Sequence, residues 1–348
     1  NAAFNNTNIV TVNTGGTWRM PDFSYAAVGQ LADYRERRVI NGGVIDITGP
    51  PHSSGQNFTV GANGGTFRYS NSGGTLTLTG NTNGNIRTDG ALEFNSIGNT
   101  TITETVEGTG SLVKSGAGTL LLNQAGNTFS GSVTVNSGIL QTGSSAGAGT
   151  NGHLGLVSGS RTVTVNAGTL SFTGNNVFGG SGKTAATIPA ITVSGGTLTS
   201  TRFNILGNIT LQGAALTQST SDSGSYEGYQ FLGTVTVGGG SASTISSGNG
   251  RANHLINGTT TFDVANATAD NLPDLIVSAP LRNSSGDYGL SAGSLAKTGA
   301  GTMQLAAANS YTGTTTVSGG TLAVTGSIAA STTTVASGAT LAGTGTIG

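Results

Sequence analysis

The 348-residue sequence contains no cysteine, which excludes a disulfide framework, a thiolate metal site and a thiol nucleophile. Charge is scarce: 13 Lys+Arg and 14 Asp+Glu make up 8% of the chain and leave a net charge of −1, against a globular norm of roughly 25%. Binding to nucleic acid by counterion release needs clustered positive charge, so no nucleic-acid partner is expected. Long apolar runs are missing too. Residues 115–160 and 298–348 hold no Asp, Glu, Lys or Arg, but Gly, Thr, Ser and Asn interrupt them throughout, so insertion of this chain into a membrane is not expected. The opening Asn1-Ala2-Ala3-Phe4 has neither a basic region nor an apolar core, as expected of a mature sequence or a fragment.

What is abundant is glycine, 60 residues, beside a 35% hydrophobic fraction and a mean hydropathy of +0.01. Low hydrophobicity with high net charge would mark disorder; this composition is neutral, small and suited to strands. Self-similarity is strong. Gly110-Ser-Leu-Val-Lys-Ser-Gly-Ala-Gly-Thr-Leu-Leu-Leu122 returns as Gly293-Ser-Leu-Ala-Lys-Thr-Gly-Ala-Gly-Thr-Met-Gln-Leu305. The match continues from Asn127 to Leu140 and from Asn309 to Leu322, keeping the aromatic, Gly and Val positions. The closing piece, Val-x-x-Gly-x-Leu, recurs at Val135 to Leu140, Val165 to Leu170, Val193 to Leu198 and Val317 to Leu322. Its spacing is that of one solenoid coil.

Local chemistry accounts for the pattern. Thr162-Val-Thr-Val165 and Thr197-Leu-Thr-Ser200 alternate apolar with hydroxyl residues at period two, as short strands with one buried face do. Asn136-Ser137-Gly138 and Ser194-Gly195-Gly196 lie between such strands and can take the positive φ of a tight corner. A strand-corner-strand unit cannot bury its apolar face alone. Stacked in parallel on its own copies it closes a narrow core of Val, Leu and Ile, and the expected fold is an all-β parallel β-helix, or β-solenoid. At roughly 25 residues per coil and about 4.8 Å per stacked strand, residues 1–348 would form one elongated domain of about fourteen coils and about 65 Å. A β-sandwich or propeller fits less well, because two-residue hairpin turns are few. Flank insertions are expected at 19–50, 218–231 and 265–290, where the pattern breaks.

The segments Gly110–Leu140 and Gly293–Leu322 resemble the autotransporter-associated β-strand repeat of exported bacterial passenger proteins. The likeness rests on Gly-Ser-Leu-x-Lys-(Ser/Thr)-Gly-Ala-Gly-Thr, Asn-x-(Phe/Tyr)-(Ser/Thr)-Gly and Val-x-x-Gly-x-Leu. It implies a right-handed helix, export from a Gram-negative-type bacterium to the cell surface or beyond, and a role in adhesion, display or scaffolding.

Parallel β-helices also carry polysaccharide-cleaving enzymes, so the acidic residues matter. Asp89, Glu93, Glu104 and Glu107 come nearest to a cluster and are expected on solvated strand faces and corners. His52, His153 and His254 are about a hundred residues apart, too far for one metal site on a regular solenoid. No catalytic, cofactor-binding or metal residues are therefore assigned, and no cofactor is expected. Two breaks offer a candidate interaction surface. Residues 19–46 hold eight of the 27 charged residues, among them Arg35, Arg37 and Arg38 beside Tyr34, and a short helix is expected over 26–38. The Ser-rich stretch 219–231 supplies Tyr226 and Tyr229, side chains able to stack on sugars. Surface glycans, or host and matrix components, are the partners such residues suit.

Coil patterning runs from Ile9-Val-Thr-Val12 at one end and through Leu322 to Ile347 at the other. Both ends are expected to be open coils, and stacking of copies head to tail would build a filament or stalk. The expectation is a non-catalytic extracellular structural or adhesive solenoid; the alternative is a polysaccharide-binding or polysaccharide-cleaving β-helix.

Overall fold

The computed structural model describes residues 9–22, 38–79, 85–144, 151–180, 182–256 and 258–348. Its fold is a right-handed parallel β-helix, and the chain divides into two compact units, 1–157 and 158–348. In the first unit each coil contributes a strand to up to three faces. One face stacks Val10–Asn13, Arg38–Asn41, Thr59–Val60, Ile86–Thr88 and Val106–Gly108; the next runs from Thr17–Met20 to Val133–Val135, and the third from Ser53–Ser54 to Ile139–Thr142. Among the described residues the strands of these faces pair in parallel and in register, as in Leu92↔Leu112↔Val133 and Leu78↔Ile102↔Leu122. A short antiparallel pair, Asn151–Gly152 with Gly155–Leu156, lies apart from these faces.

The second unit repeats the scheme. One face stacks eight strands from Thr162–Val165 to Thr333–Val335, and a second stacks eight from Thr169–Phe172 to Thr340–Ala342. A third holds Asn204–Leu206, Tyr229–Phe231, Asn253–Leu255 and Leu281–Arg282. Register again forms columns of like residues, for example Val163–Ile191–Ile209–Val235 on one face and Leu170–Leu198–Leu216–Ile245 on the next, all fully buried. Each side chain thus packs on its counterpart one coil away, so a small repeat generates a continuous core.

The Val-x-x-Gly-x-Leu signature is a corner. Val135 ends one strand and Leu140 sits in the next, and Val317 and Leu322 do the same; all four face the core. Gly320 takes φ +60°, and a Cβ there would overlap the carbonyls of Gly301 and Gly299 in the coil beneath, so neither the conformation nor the space admits a side chain.

Coil length varies with what is inserted. Val317 to Val335 is a coil of 18 residues, while Phe262 to Lys297 takes 35. The expected insertion 218–231 ends in the strand Tyr229–Phe231. The expected insertion 265–290 is two excursions, separated by strands Leu275–Val277 and Leu281–Arg282. Within 19–50, strands Arg38–Asn41 and Val44–Ile47 belong to the coils; the helix expected over 26–38 lies outside the described residues except at Arg38, which opens a strand.

Candidate functional site

The lysine of each full repeat points inward. Lys114 shares the parity of Leu112, and Lys297 that of Leu295, so strand alternation carries both into the core. Lys114 occupies a column between Phe94 and Val135, Lys297 one between Phe262 and Val317. Their ammonium groups bend toward the corner. Lys114 Nζ donates to the carbonyls of Ser115 at 2.6 Å, Gly116 at 2.8 Å and Ser137 at 3.3 Å. Lys297 Nζ donates to Thr298 at 2.7 Å, Gly299 at 2.9 Å and Gly319 at 3.1 Å. Two acceptors lie in the lysine's own corner and the third one coil on, so each lysine staples consecutive corners. Burial pushes both amines down to about 8, opposed by Glu93 at Lys114 and by Asp263 and Asp274 at Lys297. At neutral pH each remains an ammonium, with three protons for three carbonyls.

The repeat asparagine does the same at another corner. Asn127 Oδ1 accepts the backbone N–H of Val106, and Asn309 Oδ1 that of Leu281, each one coil back. Outside the full repeats, Asn204 Oδ1 takes the N–H of Val177 and Asn253 Oδ1 that of Tyr229. These asparagines satisfy backbone donors where the coil turns and strand pairing is interrupted. The motif residues thus hold coil on coil.

Of the residues expected to form an interaction surface, Tyr34, Arg35 and Arg37 lie outside the described residues. Two others are corrected. Arg38 is buried, with Nη2 donating to Gln56 Oε1 at 2.6 Å and Nη1 to the Asn57 carbonyl at 3.3 Å; it shares the parity of buried Ile40. Tyr229 is buried with Phe231, and its hydroxyl donates to the Thr217 carbonyl at 2.9 Å. Alternation within Arg38–Asn41 is the signal that places Arg38 inward, whereas Tyr229–Phe231 is buried at every position. Tyr226 is on the surface, 49% exposed, its ring edge-on to Phe203 at 5.2 Å.

The acidic residues divide. Asp89 pairs with Arg87 at 3.1 Å, Glu93 accepts from Thr66 Oγ1 and Glu107 from Asn85 Nδ2. Glu104 departs from the solvated placement expected of it: it is 6% exposed, and neither carboxyl oxygen has a hydrogen-bond partner among the described residues. Burial pushes its carboxyl up to about 8. Glu227 is fully buried in the second unit, with Arg282 on Oε1 and Arg251 at 3.5 Å from Oε2.

The three histidines lie in separate surroundings. His52 pairs with Asp22 at 3.0 Å. His153 is buried, which pushes its imidazole down to about 4. His254 is buried beside Ser285, Oγ to Nδ1 2.9 Å, in an arrangement that superficially suggests an activated serine. Nδ1 is also 2.8 Å from the Asn283 carbonyl, an obligate acceptor, so the proton sits on Nδ1. Ser285 Oγ donates instead to the Ser225 carbonyl at 3.0 Å. The imidazole therefore cannot take the serine proton in this arrangement. Among the described residues no group of three or more His, Asp and Glu is placed to hold a metal ion, and no helix is long and apolar enough to cross a membrane.

Fold and motif together define a class: parallel β-helices whose corners are closed by repeated inward lysines and asparagines. Residues 112–141 and 295–324 match the family of the passenger-associated-transport-repeat. The chain thus carries two copies of that repeat, and each copy contains one stapling lysine and one capping asparagine. No curated protein and no solved structure matches the chain.

Proposed function

We propose that this chain is a non-catalytic structural segment of an exported passenger, displayed at the cell surface or beyond, and that its coils stack on those of a second copy. The observation that carries the structural reading is where the repeat spends its chemistry. Lys114, Lys297, Asn127 and Asn309 all bond backbone groups of neighbouring coils, leaving the repeat's own polar side chains committed to rigidity.

Stacking is supported by the in-register columns of like residues, such as Leu170–Leu198–Leu216–Ile245, by which one coil seats on another. Val335 continues the column of buried Val317, and Ile347 that of buried Ile328, yet they are 40% and 42% exposed. A further coil in the same register packs on these residues as Val335 packs on Val317, and we infer that a second copy can supply such a coil. Sedimentation velocity over a concentration series tests this. Association that grows with concentration and is abolished by Val335→Lys supports stacking; a single monomeric species throughout, or association indifferent to Val335→Lys, contradicts it.

A further inference from the structure

Glu227 lies fully buried beneath two arginines whose side chains remain 46% (Arg282) and 40% (Arg251) exposed. One carboxylate thus serves two guanidinium groups on the flank of the second unit, and it can neutralise only one of them. Nearby, Asp222 holds Arg202 at 3.0 Å and accepts the Phe203 N–H, while Asp287 accepts Asn176 Nδ2 at 2.7 Å and keeps its charge. Directly before Glu227 in sequence stands Tyr226, half exposed and braced edge-on by Phe203.

The support beneath is fixed. Ser285, just before the turn Gly286–Tyr288, accepts Gln230 Nε2 on its carbonyl at 2.8 Å. Gly286 adopts φ +63°, and a Cβ there would stand 2.7 Å from the Ser225 carbonyl and 3.3 Å from the Tyr226 ring. Arginine heads oriented by a buried carboxylate keep their outward N–H groups available for a second carboxylate, and an exposed aromatic ring on the residue next to that carboxylate suits a pyranose ring.

We propose that Tyr226, Arg251 and Arg282 form a binding site for a carboxylated saccharide, with the uronate carboxylate on the two guanidinium groups and its ring against Tyr226. The site goes beyond the structural reading and does not depend on export or stacking. Polygalacturonate is the probe, its fully methyl-esterified form the control with the same sugar and no charge, and affinity electrophoresis of the full chain the assay.

The expected result is retardation by polygalacturonate that fades as salt is raised, with no retardation by the ester. Tyr226→Ala, at an exposed position, and Arg251→Lys, which keeps the charge over Glu227 but loses the planar fork, each weaken binding on the order of tenfold. An unchanged circular-dichroism melt shows that each variant is folded. No retardation by polygalacturonate at low salt overturns the assignment, as does equal retardation by the ester or undiminished binding by folded Tyr226→Ala.

Discussion

Glu104 offers the sharpest perturbation of the fold. It follows strand Asn99–Ile102 and precedes Val106–Gly108, with its carboxyl out of water and unpartnered among the described residues. The carboxyl titrates near 8 in the fold and near 4.5 when exposed. At about 1.36 kcal/mol per pH unit of difference, keeping the carboxyl protonated at pH 7.5, where it ionises in the unfolded chain, costs the fold about 4 kcal/mol. The sign follows from linkage: a raised folded value means a contribution present below pH 4.5 that is lost as pH rises toward 8. Glu104→Gln keeps the shape and cannot ionise. Trp18, the sole tryptophan, lies in the first unit in register with Ile45, so its fluorescence in urea reports the stability of that unit. The expected result is near equality of the variant and the parent at pH 4.5 and an advantage of about 4 kcal/mol for the variant at pH 7.5. A variant that is less stable at pH 7.5, or a difference that does not change with pH, would refute the reasoning.

Two further outcomes follow from buried cationic groups. His153, pushed down to about 4 by burial, contributes stability that is present above pH 6.5 and lost as pH falls toward 4, about 3 kcal/mol in all; His153→Gln should flatten that acid limb in the same urea assay. Lys297→Met should destabilise the second unit by about 3 kcal/mol, because three carbonyls at two corners lose their donor. Amide hydrogen exchange by mass spectrometry on peptides spanning 293–324 checks this, and protection equal to that of the parent would contradict it.

Much of this architecture could be read from residues, because one coil repeats the problem of the last. Val-x-x-Gly-x-Leu announced a corner flanked by two inward side chains, and Val135 with Leu140 are such a pair. The third face was harder to see. Its strands, such as Asn204–Leu206 and Tyr229–Phe231, are three residues long, too short for alternation to stand out among Ser and Gly. Polar identity also misled, and at Arg38 parity would have served better. Arg38 and Tyr229 occupy inward positions beside Ile40 and Phe231, and the core accepts them because Gln56, Asn57 and Thr217 supply partners. The pairing of Glu227 with Arg251 and Arg282 depends on register between coils 24 and 55 residues apart in sequence, which no local pattern encodes.

The stacking proposed above has the coils of one copy continue, in parallel register, on those of the next. Electron micrographs and diffraction from concentrated, aligned material test it together. The account predicts unbranched fibres with a meridional reflection at about 4.8 Å, and loss of the fibres in Val335→Lys. Dispersed particles at every concentration, or fibres whose 4.8 Å spacing lies across the axis, would contradict it.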